Sequence, residues 1–298
     1  MTTKHIPVMS QEVITSLQIQ AEGLYLDCTL GDGGHTRLIA AQLTHGQVIG
    51  IDMDQAACAR ASLDTDPQRV KIIHANFRHL QYVCLPYQHQ VNGALMDLGT
   101  SFHQLDDAQR GFSFKNAGPL DMRMNAESKL TALQVLKNLT QKQLAFLFRE
   151  LGGERHHLKI ARLLKEQLHQ LHTTLDVATL IVKHVPQRGK LHPATRVFQA
   201  LRVYVNDEIN ALKEGLSAAF NLLAPQGRLV VISFNYLEDL HVKSFMLSKI
   251  RSSPMSNSSG TLQPQARWIE RIQKPTDAEI KRNPRARSAI LRAIEKVF

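Results

Sequence analysis

Cysteine is scarce in this chain of 298 residues: Cys28, Cys58 and Cys84 are the only three, with no C-x-x-C pair among them. An odd, scattered set of this kind excludes a disulfide framework and a cysteine-built zinc site. No apolar run approaches the roughly 20 residues that a membrane span needs. The first residues, M-T-T-K-H-I-P-V-M, lack the charged-then-apolar pattern of an export signal. A cytoplasmic protein with no membrane association is therefore expected. Histidine pairs occur at His156-His157 and in H-Q-L-H (169–172), but no cysteine or carboxylate cluster completes a metal site, so no metal is expected. Internal repeats are absent as well. What the chain has is 43% hydrophobic residues, enough for a large core, and a net charge of +10 that is unevenly placed.

Residues 1–104 carry 6 lysines and arginines against 9 acids, residues 105–205 carry 16 against 8, and residues 265–298 carry 9 against 4. The first third is slightly acidic; the middle and the tail are basic. Two basic regions suit a polyanionic partner, most simply a nucleic acid. A solvated surface that keeps the protein soluble is the competing reading.

Apolar runs at 23–27, 47–52, 70–74 and 93–98 alternate with helix-like stretches such as Thr36–Leu43 and Gln55–Leu63. That alternation predicts a parallel sheet wound by crossover helices. It then stops. From Asp106 to Lys190 the apolar residues fall at spacings of three and four, which predicts helices, and a strand pattern returns only at 227–234. The expected architecture is an α/β domain formed by residues 1–105 and 206–298, split by an all-helical insertion over 106–205.

The segment L-Y-L-D-C-T-L-G-D-G-G-H (24–35) is the richest in chemistry. A strand ends in Asp27, a glycine turn follows, and the next strand ends in Asp52. Glycines let a backbone approach a ligand closely, and an acid ending the second strand suits the paired hydroxyls of a ribose. Both point to an adenosine-containing cofactor. The third glycine of G-x-G-x-x-G is missing: Gly31 and Gly33 are followed by Thr36. Asp27 and Asp32 also place negative charge around the turn, which repels a pyrophosphate and attracts a sulfonium or an amine. The turn thus favours S-adenosyl-L-methionine, with a dinucleotide or a plain structural turn as alternatives.

One helix is predicted from about Ala194 to Leu223. At 100° per residue Arg196, Gln199, Asn206 and Asn210 share a sector, opposite an apolar face of Val197, Leu201, Tyr204, Val205 and Leu212. Pro193 suits a first helical turn, which places His192 at its start. The stretch S-S-P-M-S-N-S-S-G-T (252–261) reads as a mobile loop. Thr276 and Glu279 have capping-box spacing, and Arg282, Arg285 and Arg287 make a compact basic turn before a last strand.

Several segments together resemble one family. They are H-I-P-V-M (5–9), L-G-D-G-G-H (30–35), M-D-L-G-T-S (96–101), R-G-F-S-F (110–114), G-P-L-D-M-R-M (118–124), H-P-A-T-R-V-F-Q-A-L-R (192–202), V-N-D-E (205–208), I-S-F with L-E-D (232–239), and N-P-R-A-R-S (283–288). Their order and content resemble the bacterial 16S ribosomal RNA cytosine-N4 methyltransferases, the MraW family, over essentially the whole chain. The resemblance implies a Rossmann-like class I methyltransferase sheet with a helical insertion that presents RNA. It implies S-adenosyl-L-methionine as cofactor, bound by Gly33, Gly34, His35, Asp52, Phe77, Asp97 and Gln104. The implied partner is 16S ribosomal RNA or the small ribosomal subunit.

A cytosine amine is a poor nucleophile because its lone pair is delocalised into the ring. It must be aligned with the methyl–sulfur bond and must donate its N–H groups to an acceptor. The [D/N/S]-P-P-[Y/F/W] tetrapeptide that serves DNA amino-methyltransferases is absent, and Asp97 holds the corresponding place as candidate catalytic residue. A carbon-5 mechanism would need a thiolate, and Cys28 and Cys84 lack a nucleophile motif. His192, Arg196, Asn206 and Asn235 are the candidates for RNA contact. The chain departs from the family at 233–240, where S-F-H-S-L-E-D-R becomes S-F-N-Y-L-E-D-L; Asn235 can hydrogen-bond a base but cannot titrate as histidine does. The rival from another class is an RNA-binding or ribosome-assembly protein on the same fold without turnover.

Overall fold

The computed structural model describes residues 6–187, 189, 191–251 and 263–298. His5 and the expected loop at 252–261 lie outside the described residues. The chain forms two compact units, one from 1–99 with 209–298 and the other from 100–208. The first junction falls earlier than the 105/106 read from the sequence, and the second later than 205/206.

The first unit is built on seven strands: β1 (Leu24–Asp27), β2 (Gln47–Asp52), β3 (Val70–His74), β4 (Val91–Asp97), β5 (Leu223–Ser233), β6 (Ala266–Gln273) and β7 (Ile290–Lys296). Their order is β3-β2-β1-β4-β5-β7-β6, parallel from β3 to β5, with β7 antiparallel to both β5 and β6. This is the class I methyltransferase sheet. The period-two alternation of strands sends Leu26, Ile49, Ile51, Met96 and Val231 to one face and Tyr25, Val48, Leu95, Val230 and Ile232 to the other. Each set joins a separate buried cluster, so the sheet is covered on both sides. Parallel strands covered on both faces read as continuous apolar runs, which is why they stand out in the sequence. β6 does not stand out: A-R-W-I-E-R-I-Q is an edge strand, half-exposed and interrupted by the charges of Arg267, Glu270 and Arg271.

The helix Gln55–Leu63 starts where Asp54 accepts the Ala56 N–H, and the helix Asp277–Arg282 where Thr276 accepts that of Glu279. The expected reciprocal bond from Glu279 is not made. Its carboxylate accepts the Met9 N–H at 2.6 Å instead, pinning the start of the chain.

The second unit is helical, with no named strand among its described residues. Four of its helices open with capping boxes, at Ser101/Gln104, Thr131/Gln134, Thr140/Gln143 and Thr173/Asp176. Apolar positions three and four apart bury Leu144, Leu147, Phe148, Ile160, Leu163 and Leu164. The single helix expected from Ala194 to Leu223 is in fact two, Thr195–Val205 and Glu208–Leu222, broken where Asp207 takes φ +48°. The break removes Asn206 and Asn210 from any common stripe with Arg196. No helix of the described residues is long and apolar enough to cross a membrane.

Candidate active site

Open α/β sheets bind ligands beyond the carboxyl ends of their strands, where the strand order reverses. Here that point lies between β1 and β4, whose last residues are Asp27 and Asp97. The turn leaving β1 is tightly fixed. Gly31 and Gly33 adopt φ +51° and +74°, a left-handed backbone that a side chain disfavours. The Asp52 carboxylate at the end of β2 accepts the Gly31 N–H and the Asp54 N–H, each at 2.8 Å. Burial pushes the Asp52 carboxyl up to about 6. Each of its oxygens keeps a lone pair for a further donor, as a ribose ligand requires.

The two other acids of the turn are engaged inside the protein. Asp27 is buried; it accepts the Thr36 hydroxyl at 2.6 Å and the Thr29 N–H at 3.2 Å. Asp32 forms an ion pair with Arg60 at 2.8 Å. Arg60 thus compensates the charge of Asp32, whereas Asp27 meets only neutral donors, so the electrostatic argument made from sequence holds for one acid of the turn and not for the other. Asp97 differs from both. Its N–H is held by Thr29 Oγ1 at 2.7 Å, and its Oδ1 is buried with no hydrogen-bond partner. His35, 6% exposed, also lacks a partner at both ring nitrogens, and its Nε2 stands 3.6 Å from Asp97 Oδ2. Buried polar atoms are rarely left unmatched unless something else binds them. A donor-rich ligand fits this place, and an amino-acid moiety carrying an ammonium group supplies such donors.

The remaining candidates take mixed positions. Gly34 packs closely on Pro7, and Phe77, half-buried, lays its ring against Gly215 in the helix Glu208–Leu222. Asn235 caps the helix Tyr236–Ile250, its Oδ1 accepting the Glu238 N–H at 3.0 Å, so only its Nδ2 is without a bond. The L-E-D motif beside it is structural: Glu238 accepts the Phe234 N–H at 2.8 Å, and Asp239 takes Arg292 of β7 through both oxygens. Tyr236, by contrast, is 80% exposed. All three cysteines are buried and free. Burial pushes the Cys28 thiol well up and those of Cys58 and Cys84 up to about 11, which disfavours a thiolate.

In the helical unit, Gln104 is buried and closes a capping box with Ser101. Asn206 does not offer its amide to a ligand. Its Oδ1 accepts the Met124 N–H at 2.7 Å, and its Nδ2 donates to the Met122 and Arg202 carbonyls. It thereby supports G-P-L-D-M-R-M, where Met122 takes φ +64° and Asp121 pairs with Arg123 at 2.7 Å. Asn206 is accordingly corrected from an RNA-contact candidate to a scaffold residue. His192 and Arg196 do come together, lining a cavity of about 210 Å³ with Glu154, Arg155, His156 and Leu191. The His192 ring stacks on Phe114 with centroids 4.5 Å apart, and its Nδ1 accepts the Ala194 N–H at 3.2 Å. Sequence reasoning missed the ring of His35, the hydroxyls of Thr29 and Thr36, and Arg292. The fold brings Thr29 and His35 to Asp97 and Arg292 to Asp239 from far along the chain, whereas Thr36 reaches back to Asp27 from the adjoining helix.

The profile of the MraW methylase family matches residues 2–297. A ribosomal RNA small subunit methyltransferase H from Hydrogenovibrio crunogenus is 40% identical over 99% of this chain and 97% of its own length. Another of that name, from Heliobacterium modesticaldum, is 42% identical over 100% of both chains. A third, from Francisella philomiragia, is 39% identical, again over 100% of both.

Proposed function

The chain belongs to the MraW methylase family, and from that membership we propose that it methylates the N4 amine of one cytidine in 16S ribosomal RNA. The cofactor is S-adenosyl-L-methionine, which when bound supplies a methyl group activated by a sulfonium. The observation that carries the reading is the set of unmatched buried atoms, both ring nitrogens of His35 and Oδ1 of Asp97, beside a glycine turn anchored by Asp52. Their donor and acceptor set fits the cofactor's charged methionine end, and Asp52 fits its ribose. Gly33, Gly34 and His35 would line the methionine part through their backbone, and Phe77 and Gln104 complete the proposed cofactor set.

The chemistry asked of the protein is alignment and charge stabilisation. An amine conjugated with a pyrimidine ring gains nucleophilicity as its N–H bonds are polarised by an acceptor, and positioning contributes the larger share of the rate. Asp97, at the end of β4 with its Oδ1 unmatched among the described residues, is the proposed acceptor. The helical unit presents the RNA. Its basic residues grip phosphates, and the cavity of His192 and Arg196 offers an aromatic face and a guanidinium to one nucleotide. Affinity for RNA then falls steeply with added salt; a flat response would contradict this placement.

The deciding experiment is a mass-spectrometric comparison of small-subunit ribosomal RNA nucleosides from cells with and without the protein. Loss of N4-methylcytidine with the protein is the expected result. Unchanged N4-methylcytidine, with cofactor binding intact, would support the alternative of an RNA-binding assembly factor. The exposed Tyr236 and Leu240, where the family pattern has serine and arginine, are the features that favour that alternative.

A further inference from the structure

Four buried side-chain polar atoms lack a hydrogen bond among the described residues, and three of them belong to His35 and Asp97. A ligand carboxylate or ammonium accounts for one or two of these atoms. It does not account for a buried imidazole free at both nitrogens and set between two acids, Asp97 at 3.6 Å and Asp27, whose carboxyl it helps to hold down against burial. Histidine in such a place is a proton site.

Methylation of an amine releases a proton that needs a destination. The amine nitrogen bonds to the methyl carbon, the carbon–sulfur bond breaks with its electron pair left on sulfur, and one N–H proton departs. Resting on the function proposed above, we propose that this proton passes to the Asp97 carboxylate and comes to rest on His35 Nε2, which keeps it until the spent cofactor leaves. The charges favour this order. The reactant cofactor carries a sulfonium, which opposes a second positive charge in the same buried site. S-adenosylhomocysteine carries none, so an imidazolium between Asp27 and Asp97 replaces the lost charge.

Few other charges bear on the imidazole. The elements packed on its helix (Gly34–Ala40) bring Asp27 on β1, Asp52 on β2 and Glu12 on the helix Ser10–Leu17. Asp52 is engaged by the Gly31 and Asp54 N–H groups. Arg37, on the same helix, turns to the Asp32 carbonyl at 2.7 Å, and Arg60 is paired with Asp32. Among the described residues neither Asp27 nor Asp97 pairs with a lysine or an arginine; His35 Nε2 faces Asp97 alone.

The test is binding rather than turnover. S-adenosyl-L-methionine and S-adenosylhomocysteine are titrated calorimetrically into the full chain between about pH 5.5 and 8.5, in buffers of different ionisation enthalpy. S-adenosylhomocysteine is expected to take up about one proton more than S-adenosyl-L-methionine. Its affinity relative to the reactant then rises about tenfold per unit fall in pH within the titrating range. Asp52 meets the ribose common to both ligands, so its own titration cancels in the ratio. In His35→Gln the ratio is expected to be flat with pH, and the His35 imidazole resonances of the wild type should report protonation only with S-adenosylhomocysteine bound. A ratio independent of pH in the wild type, or one still pH-dependent in His35→Gln, overturns the proton assignment and leaves the methyltransferase reading standing. Failure of both ligands to bind the wild type overturns the methyltransferase reading itself.

Discussion

Asp97 ends β4 with a buried oxygen that has no hydrogen-bond partner among the described residues, whereas Asn206 in the helical unit has a partner for both polar atoms of its amide. The same contrast separates His35 from Gln104, one with two unmatched ring nitrogens and the other closing a capping box. From sequence, all four are equally plausible ligand residues, being polar and set in specific motifs. The structure sorts them by satisfaction. Asn206, paired at both amide atoms, is scaffold; the unpaired atoms of Asp97 and His35 are open to a ligand, and Gln104 keeps its place in the proposed cofactor set beside its cap.

This contrast can be broken first at Asp97. Asp97→Asn keeps the shape but turns half of the carboxylate into a donor, and turnover is expected to fall about 100-fold or more with folding unchanged. Single-turnover methylation checks it, and a loss of less than about threefold would remove Asp97 from the chemistry. Asn206→Ala should do the opposite. It strips partners from the Met124 N–H and the Met122 carbonyl and costs about 2–3 kcal/mol in urea unfolding, while cofactor affinity holds.

Asp52 gives a subtler separation. With its carboxyl near 6, it is ionised above that pH and protonated below it. A protonated carboxyl accepts ribose hydroxyls less well, so affinity for S-adenosyl-L-methionine and S-adenosylhomocysteine should fall alike, up to about tenfold, as pH drops through about 6. Titrations of Asp52→Asn, expected to lose that common dependence, check the cause. The smallest effect belongs to Asn235. Asn235→Ala removes a helix cap and should cost about 1 kcal/mol of stability, read from the unfolding midpoint, with no change in cofactor affinity.

The legible part of the fold follows from how buried parallel strands look. β1, β2, β3 and β4 are short apolar runs, and the glycine turn after β1 is visible because glycine there is a backbone requirement. The break at Asp207 was not legible. No glycine or proline marks it, and the apolar period runs through it from Val197 to Leu212, so a continuous helix is the simplest expectation. β6 was hidden by its charges, as edge strands are. In the site, the backbone turn at Gly33 and the position of the Asp52 carboxylate at the end of β2 could be read from spacing. The ring of His35 could not, because its environment is made by Asp97, sixty-odd residues further along and one strand over in the sheet. Unmatched hydrogen bonds are a property of the folded chain alone.

Calorimetric titration of the wild type with S-adenosyl-L-methionine, beside Asp97→Ala and His192→Ala, tests most directly the claim that the unpaired groups at the strand ends are the cofactor site. Saturable binding by the wild type and His192→Ala, lost in Asp97→Ala, is the predicted result. Binding of NADH without any binding of S-adenosyl-L-methionine, or full binding by Asp97→Ala, would contradict it.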